Sequence, residues 1–287
     1  MADCNLTRLA VTLYIVFLRL LLILCLHSST LYAAPRVVTS IPPLQEIVND
    51  IMAGGGEAQA IIDAGASAHH FALRPSHMRL LQQADLVIWI DNRFEAGFAP
   101  LSQTLPRATA QLELLPALGL SGADGHIWFS PQLLLLVVER ITAQLADIDP
   151  QNAALYHDNA VRLAQQIEAW RETTMQALRA HPPRYITDHE FTRHFVSDMG
   201  FAPIASIHDQ HDDHGSLGEL DETEASLRTT PATCLLTLEP RPAPLALELA
   251  HKFDLEILSL ADSDASAAPT TLQRLQRFSE ALSHCGE

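Results

Sequence analysis

The sequence predicts an α/β protein with two lobes of similar topology, joined by a single long rigid helix. Short apolar runs alternate with helical stretches in both halves of the chain, and this alternation is typical of parallel sheets covered by helices. A long stretch without a helix breaker, 149–178, separates the two halves. Apolar residues make up 48% of the 287 residues, which is enough for a hydrophobic core.

The first half contains three predicted strands, 36–40, 58–62 and 86–90, and three predicted helices, 44–52, 76–83 and 131–145. The last of these strands reads LVIWI, a continuous apolar run as expected of a strand buried on both faces. Ser76 belongs to a residue type that caps helix N-termini, so we expect it to cap the helix that starts there.

The long segment starts with Asp149 and Pro150, and helices accept proline in their first turn after a capping residue. Apolar residues then recur at helical spacing, namely Leu155, Leu163, Ile167, Trp170 and Leu178. A helix of this length would be roughly 45 Å long. Such a helix is usually a core or coiled-coil helix, but between two α/β halves it can instead connect two lobes.

The second half repeats the alternation, and Pro244 stands just before a helix start, where proline is accepted. Its predicted strands are 185–187, 203–207, 234–238 and 255–260, and its predicted helices are 191–199, 245–252 and 270–282. We therefore expect an N-terminal lobe at 34–148, a connecting helix at 149–181 and a C-terminal lobe at 182–287.

The N-terminus has the layout of a secretory signal peptide. Arg8 precedes an apolar run at 9–26, and small and polar residues lead to Ala33. We expect cleavage after Ala33, which removes residues 1–33 from an exported protein. The alternative is a retained membrane anchor, because the apolar run is about long enough to span a bilayer. Cys25 lacks the small residues that a lipoprotein signal places before its cysteine.

The chain is acidic, with 34 Asp and Glu against 18 Lys and Arg and a formal net charge of −16. Such a surface repels nucleic acid and anionic lipid and attracts cations, so we expect no nucleic-acid partner. Acidity often serves solubility alone, and it therefore supports a cation ligand only weakly.

Two of the four cysteines, Cys4 and Cys25, fall inside the predicted signal peptide. Cys234 and Cys285 remain, and an even pair in an exported chain indicates one disulfide. Two free thiols are the alternative, which an oxidising compartment disfavours.

The placement of the 14 histidines is the most informative feature for function. His69, His126, His189 and Asp262 all fall at or just beyond predicted strand ends or helix starts. In open α/β sheets, ligands bind outside the carboxyl ends of strands, so a cleft between the lobes could gather these four side chains. Three imidazoles and one carboxylate suit zinc better than manganese or magnesium. Each histidine alone is more often a surface residue than a ligand.

Three motifs, GASAHHFALRPSHMRLLQQADLVIWI, DGHIWFSP and YITDHEF, occur in this order. In these motifs the chain resembles the zinc-specific substrate-binding proteins of ABC importers, a family within a metal-binding cluster that also contains manganese-binding lipoproteins. The resemblance covers 36–285. It implies two α/β lobes joined by one rigid helix, a metal site between the lobes, one zinc ion, a monomeric periplasmic protein and a permease partner.

Residue by residue, the resemblance implies His69, His126 and His189 as the first three ligands. The fourth ligand varies in the family. Ala68 precedes His69, so an adjacent carboxylate is absent and Asp262 is the best candidate, with water as the alternative. The family's C-terminal disulfide corresponds to Cys234 and Cys285, the pair that the cysteine count also suggests.

Two neighbours of the ligands, His70 and Glu190, are expected to shield or orient the site, although the third motif reads HEF where the family usually has His-Asp-Ala. The remaining histidines are expected to be surface or packing residues, namely His77, His157, His181, His194 and His251.

The acidic, histidine-rich loop of zinc members is missing before the second ligand, where this chain has only SGADG. A shorter run, HDQHDDHG, follows the third ligand instead. Its metal-binding side chains are His208, His211, His214 and Asp212. They could form a second, low-affinity metal site, or the run could be a solvated loop.

We therefore expect a binding protein without catalysis, which captures zinc and delivers it to a membrane permease. A manganese-binding member of the family is one alternative, but such members replace the third histidine by a carboxylate. A zinc hydrolase is another, because three histidines with an open position suit a metal-bound water. The sequence contains no HExxH motif. A third alternative is an adhesin or chaperone in which metal serves structure only.

Overall fold

The structure is a computed structural model that describes residues 33–63, 66, 73–98, 100, 104–208, 217–261 and 269–287. Pro35–Glu287 form one compact unit. Within the described ranges, none of the helices is long and apolar enough to cross a bilayer. The predicted signal peptide lies outside these ranges apart from Ala33.

The first lobe is built on a four-stranded parallel sheet in the order β2-β1-β3-β4. Its strands are β1 (Val37–Thr39), β2 (Ala58–Ala60), β3 (Leu86–Trp89) and β4 (Ala110–Glu113). Its helices are α1 (Pro42–Met52), α2 (Pro75–Gln83) and the single turn α3 (Leu114–Ala117). All four residues of β3 are buried, as its continuous apolar run predicts.

Two long helices follow the first lobe. Helix α4 (Pro131–Ile148) begins at a proline whose preceding residue, Ser130, accepts a hydrogen bond from the Leu133 backbone N–H at 3.0 Å. Helix α5 (Ala153–Ala180) has 28 residues, which corresponds to about 42 Å. Its start is fixed by Asp149, whose carboxylate accepts hydrogen bonds from the Tyr156 hydroxyl at 2.6 Å and the Asn152 amide at 2.8 Å.

The second lobe repeats the topology of the first, with a parallel sheet in the order β6-β5-β7-β8. Its strands are β5 (Tyr185–His189), β6 (Ser206–His208), β7 (Cys234–Thr237) and β8 (Glu256–Ser259). Its helices are α6 (Arg193–Met199), α7 (Leu217–Thr229) and α8 (Pro244–Phe253), and the chain ends with α9 (Thr271–His284).

One hydrophobic core joins both lobes and the connecting helix. It contains Leu44 of α1, Ile167 of α5 and Phe278 of α9, each fully buried. Smaller clusters cover the other faces of the two sheets, around Val87 in the first lobe and Ile186 in the second. The two lobes therefore pack against the same helices and share one core.

A disulfide between Cys234 and Cys285 joins the end of α9 to the start of β7, with the two Cα atoms 5.5 Å apart. The predicted pairing is confirmed. The backbone carbonyl of Cys285 also accepts hydrogen bonds from the Arg184 N–H at 3.0 Å and from the Thr233 hydroxyl at 2.7 Å.

The predicted α/β class, the two similar lobes and the long helix are confirmed. The cap at Ser76 is wrong, because α2 begins at Pro75 and the backbone N–H of Arg74 donates to His77 Nδ1 at 3.2 Å. Sequence reasoning missed β4, α3 and α7. Strand β4 reads AQLE and α7 reads LGELDETEASLRT, and neither contains the apolar run that marks a buried element.

Candidate metal centre

The shared strand order places a switch point between the two central strands of each sheet, and ligands of open α/β sheets bind beyond the carboxyl ends at such points. His189 is the last residue of β5, one of the two central strands of the second sheet. His126 lies after α3 of the first lobe and directly before a 3₁₀ turn, Ile127–Phe129, that leads into α4. The two histidines therefore come from opposite lobes.

The ring of His189 is held by the residue before it. Asp188 Oδ1 accepts hydrogen bonds from the His189 backbone N–H at 2.8 Å and from His189 Nδ1 at 2.9 Å. The other carboxylate oxygen of Asp188 accepts a hydrogen bond from the Thr237 hydroxyl at the end of the neighbouring strand β7. Both sheet-centre strands thus contribute to the orientation of this imidazole.

The ring of His126 is held in the same way by a carboxylate two residues earlier. Asp124 Oδ1 accepts from the His126 backbone N–H at 3.0 Å and from His126 Nδ1 at 2.8 Å. Both side chains are almost completely buried, at 3% exposure for His126 and 1% for Asp124. Asp124 Oδ2 is buried and has no hydrogen-bond partner among the described residues.

The protonation of Asp124 follows from its surroundings. Burial opposes ionisation, but the hydrogen bond and charge of His126 outweigh it and lower the pKa of Asp124 below its ordinary value. An ionised carboxylate can only accept hydrogen bonds, so Nδ1 of His126 carries the proton. When the ring is neutral, its Nε2 atom presents a lone pair, and this is the form that binds a metal.

The Nε2 atoms of His126 and His189 lie 3.4 Å apart. Zinc–nitrogen bonds of about 2.0–2.1 Å at a tetrahedral angle place two ligand nitrogens about 3.3–3.4 Å from each other. The two imidazoles therefore already have the separation that a shared zinc ion requires.

Aromatic side chains surround the pair. The rings of Phe94 and Trp128 meet the His126 ring edge-on, with centroids at 5.0 and 5.2 Å. Phe191 packs on the His189 ring at 5.3 Å. Gly125 permits this packing, because a Cβ atom there would lie 2.1 Å from Cδ2 of Phe94. An apolar shell of this kind excludes water and strengthens electrostatic interactions at the metal position.

The two imidazoles and the two carboxyl groups behind them suit a divalent cation. The two imidazoles offer nitrogen ligands, and the carboxyl groups of Asp124 and Asp188 lie behind them. A divalent cation between the rings would be stabilised by these carboxyl groups through the two hydrogen-bonded imidazoles.

Several predicted site residues lie outside the described ranges, namely His69, His70, His211, His214, Asp212 and Asp262. His208 ends β6, and its side chain is not described. Glu190 forms an ion pair with Arg193 at the protein surface. In the part of the chain that the structure describes, no group of three or more His, Cys, Asp or Glu side chains forms a metal cluster.

Sequence reasoning missed the two carboxylates that orient the imidazoles. Asp124 and Asp188 stand two residues and one residue before their histidines, within the motifs DGH and DH. A carboxylate so close in sequence could have suggested the hydrogen bond to Nδ1, because metal-binding histidines usually donate their other N–H to such a group.

Residues 37–284 match the protein family described as "ZnuA: Zinc-uptake complex component A periplasmic". The chain is 27% identical over 219 residues to the high-affinity zinc uptake system protein ZnuA of Paracoccus denitrificans, which covers 60% of this chain and 66% of that protein. It is 25% identical over 270 residues to the protein of the same name from Haemophilus ducreyi, covering 82% and 87%. The match thus spans about two thirds of the Paracoccus relative.

The fold is shared with solved structures. The periplasmic zinc-binding protein TroA from Treponema pallidum superposes with a TM-score of 0.77 at 17% identity, over 88% of this chain and 99% of TroA. A manganese-bound periplasmic metal-binding protein from Candidatus Liberibacter asiaticus gives a TM-score of 0.73 at 18% identity, over 86% and 99% of the two chains.

These matches agree with the predicted family, the two-lobed fold and a binding role without catalysis. The family match covers most of the chain and includes His126 and His189. The chain belongs to the ZnuA family, the periplasmic metal-binding components of zinc-uptake complexes, which are transport proteins and not enzymes.

Proposed function

We propose that this chain captures one zinc ion in the periplasm, as a monomer, and delivers it to the permease of an ABC importer. Cleavage of the signal peptide at 1–33 releases it into that compartment. The observation that carries the proposal is the 3.4 Å approach of His126 Nε2 and His189 Nε2 from opposite lobes. The carboxylates behind both rings fix the tautomer that binds metal.

His69 and Asp262 complete the proposed ligand set. Strand β8 ends at Ser259, so the chain leaves the carboxyl end of the second sheet shortly before Asp262. His69 precedes α2, which begins at Pro75 in the first lobe. Each lobe would then supply two ligands to one ion, with water in place of Asp262 as the alternative.

The donor atoms favour zinc over manganese. Three neutral imidazoles suit a borderline-soft ion that accepts tetrahedral coordination, whereas manganese prefers oxygen ligands. The test is competition binding of zinc and manganese to the metal-free protein under identical conditions. Manganese displacing zinc at equal concentration would overturn the choice of metal.

The ligand assignment is tested by titrating metal-free mature protein with zinc and repeating the titration on His126→Ala. We expect a single tight site in the parent and roughly hundredfold weaker binding or more in the variant, about 2.7 kcal/mol. His157→Ala is the matched control, because His157 is exposed on α5. Equal affinity of the parent and His126→Ala would contradict the proposal.

The HDQHDDHG run, which starts at the last residue of β6, is proposed as a second, weaker zinc site. His208, His211, His214 and Asp212 provide the donor atoms. A second binding step at higher zinc concentration, lost when the three histidines become alanine, is the expected result. A solvated loop without affinity would leave the stoichiometry at one ion in both proteins.

A further inference from the structure

Hydrogen bonds other than those of the two imidazole rings join the segments that carry His126 and His189 across the lobes. On the first-lobe side they involve residues 124–132, and on the second-lobe side Asp198 and His194 of α6. We call this set of contacts the interlobe clasp.

Asp198 is the centre of the clasp. Its Oδ2 accepts hydrogen bonds from the Ser130 hydroxyl and from the Gln132 backbone N–H, the latter at 3.1 Å. These groups form the N-terminus of α4, where free N–H groups and the helix dipole favour a negative charge. A side chain from the second lobe thus caps a helix that leaves the first lobe.

His194 supplies the second contact of the clasp. Its Nε2 lies 2.8 Å from the backbone carbonyl oxygen of Asp124 and donates to it, because a carbonyl oxygen can only accept. Asp124 is also the residue whose carboxylate holds Nδ1 of His126. The contact therefore reaches the imidazole of His126 through a single residue.

Helix α6 connects the clasp to His189 at the end of β5. It begins four residues after His189, and Phe195 on its buried face packs against Phe278 of α9 with ring centroids 4.9 Å apart. A short helix fixed at both Asp198 and Phe195 limits how far the end of β5 can move relative to the His126 loop.

We propose that Asp198 is a positioning residue that holds the imidazoles of His126 and His189 at ligand separation before a metal ion arrives. This inference rests on the proposed function. The clasp is formed by folding and needs no ion, so the cost of bringing the two lobes together is not subtracted from the binding free energy.

The test compares zinc affinity, measured by competition with a chromophoric chelator, among three variants. Asp198→Ala is expected to bind zinc about tenfold more weakly, the lower range for groups that orient ligands. Asp198→Asn should recover most of the affinity, because an asparagine oxygen also caps helix N-termini. Asp147→Ala is the control: it removes the same charge from the exposed C-terminal end of α4 and should leave affinity unchanged.

A double-mutant cycle separates positioning from a general structural effect. In a His189→Ala background no imidazole from the second lobe remains to be positioned, so Asp198→Ala should add no further loss of affinity. A loss that persists at its full size in that background would overturn the inference, and so would parent-like affinity of Asp198→Ala.

Two further measurements remove ambiguity. If Asp198→Ala does not fold, as judged by circular dichroism of the metal-free protein, His194→Phe breaks the other contact of the clasp and takes its place in the same cycle. If the parent binds zinc and His126→Ala does not, the proposed function stands whatever the Asp198 result. A parent that does not bind zinc overturns both.

Discussion

Arg274 near the start of α9 forms a buried ion pair with Glu46 of α1, although 228 positions separate them in the sequence. Arg274 Nε donates to Glu46 Oε2 at 2.7 Å, and Nη2 donates to Oε1. The exposed fractions are 12% for Arg274 and 1% for Glu46. The opposite end of α9 is joined to β7 of the second lobe by the Cys234–Cys285 disulfide. Helix α9 is therefore a second connection between the lobes, beside α5.

Removal of Arg274 should destabilise the whole molecule. Arg274→Ala removes the positive charge bonded to the buried Glu46 carboxylate, and breaking a buried pair in this way typically costs about 3–5 kcal/mol. Urea unfolding of the metal-free protein measures the loss of unfolding free energy. Arg140→Ala on the exposed face of α4 is the control and should change stability by less than about 0.5 kcal/mol.

A double replacement gives the complementary result. Glu46→Leu combined with Arg274→Leu removes both charges, so much of the stability lost in Arg274→Ala should return. An Arg274→Ala protein with the same urea midpoint and slope as the parent would show that the pair contributes nothing to folding.

The carboxylate that orients His189 can be identified by substituting, one at a time, the two acidic residues that flank it. Asp188 bonds to Nδ1 of His189, whereas Glu190 is engaged with Arg193 at the surface. Asp188→Asn should therefore weaken zinc binding about tenfold or more. Glu190→Gln removes the same charge two residues away and should change affinity by about twofold or less. The reverse order of effects would restore the orienting role that the sequence predicts for Glu190.

Gly125 is predicted to be essential for the aromatic packing on His126. In Gly125→Ala the new Cβ would lie 2.1 Å from Cδ2 of Phe94. Phe94 must then move away from the His126 ring, which loosens the site. We expect a loss of about 1–3 kcal/mol in unfolding free energy from this overpacking, together with weaker zinc binding.

Reducing the size of residue 94 should reverse the effect. Phe94→Leu in the Gly125→Ala background makes room for the methyl group and should recover part of the stability. If Gly125→Ala alone unfolds like the parent, the close approach of Phe94 does not limit this loop.

The fold could be predicted because most of its strands are recognisable from short apolar runs in the sequence. Runs such as LVIWI at 86–90 and CLLT at Cys234–Thr237 are apolar on both faces, as parallel strands between two helix layers must be. The long helix was visible from its apolar spacing and its lack of breakers. Strand β4 and helix α7 carry mixed polar sequences, so their formation depends on tertiary contacts that no local pattern records.

Only part of the candidate site could be predicted from the sequence. His126 and His189 stood out because they follow or precede predicted elements at the cleft. The orienting role of Asp188 was missed, although its position directly before His189 is compatible with the hydrogen bond to Nδ1. The ligand roles of His69, His126, His189 and Asp262 all stay predictions.

The clasp and the Glu46–Arg274 pair join residues that are far apart along the chain, with no spacing rule to connect them. Contacts of this kind depend on how the two lobes pack against each other, and no local sequence pattern records that packing.

Glu95 makes the stability of the protein depend on pH. Its side chain is fully buried beyond the carboxyl ends of β1 and β3, where it bonds to the Ser40 hydroxyl. Its Oε2 accepts from the backbone N–H groups of Ile90 at 2.8 Å and Asp91 at 3.1 Å. Burial raises the pKa of Glu95 to about 8, and these hydrogen bonds only partly offset the effect.

The sign of the pH dependence follows from the two pKa values of Glu95. In the unfolded chain this carboxyl ionises near its ordinary value of about 4.3, so between that value and about 8 the folded protein holds a proton that the unfolded protein has lost. Stability from this group is therefore present below pH 4 and is lost as the pH rises toward 8.

Glu95→Gln provides the reference for measuring this effect, because it keeps an oxygen for the two N–H groups and an amide for Ser40 but does not titrate. The unfolding free energy of the parent relative to Glu95→Gln should fall by about 3–4 kcal/mol between pH 5 and pH 8, since each pH unit between the two pKa values corresponds to about 1.4 kcal/mol. Urea titrations of metal-free protein at several pH values measure it, and other titrating groups cancel in the difference. A difference that stays constant with pH would mean that Glu95 ionises at the same pH in the folded and unfolded states, despite its burial.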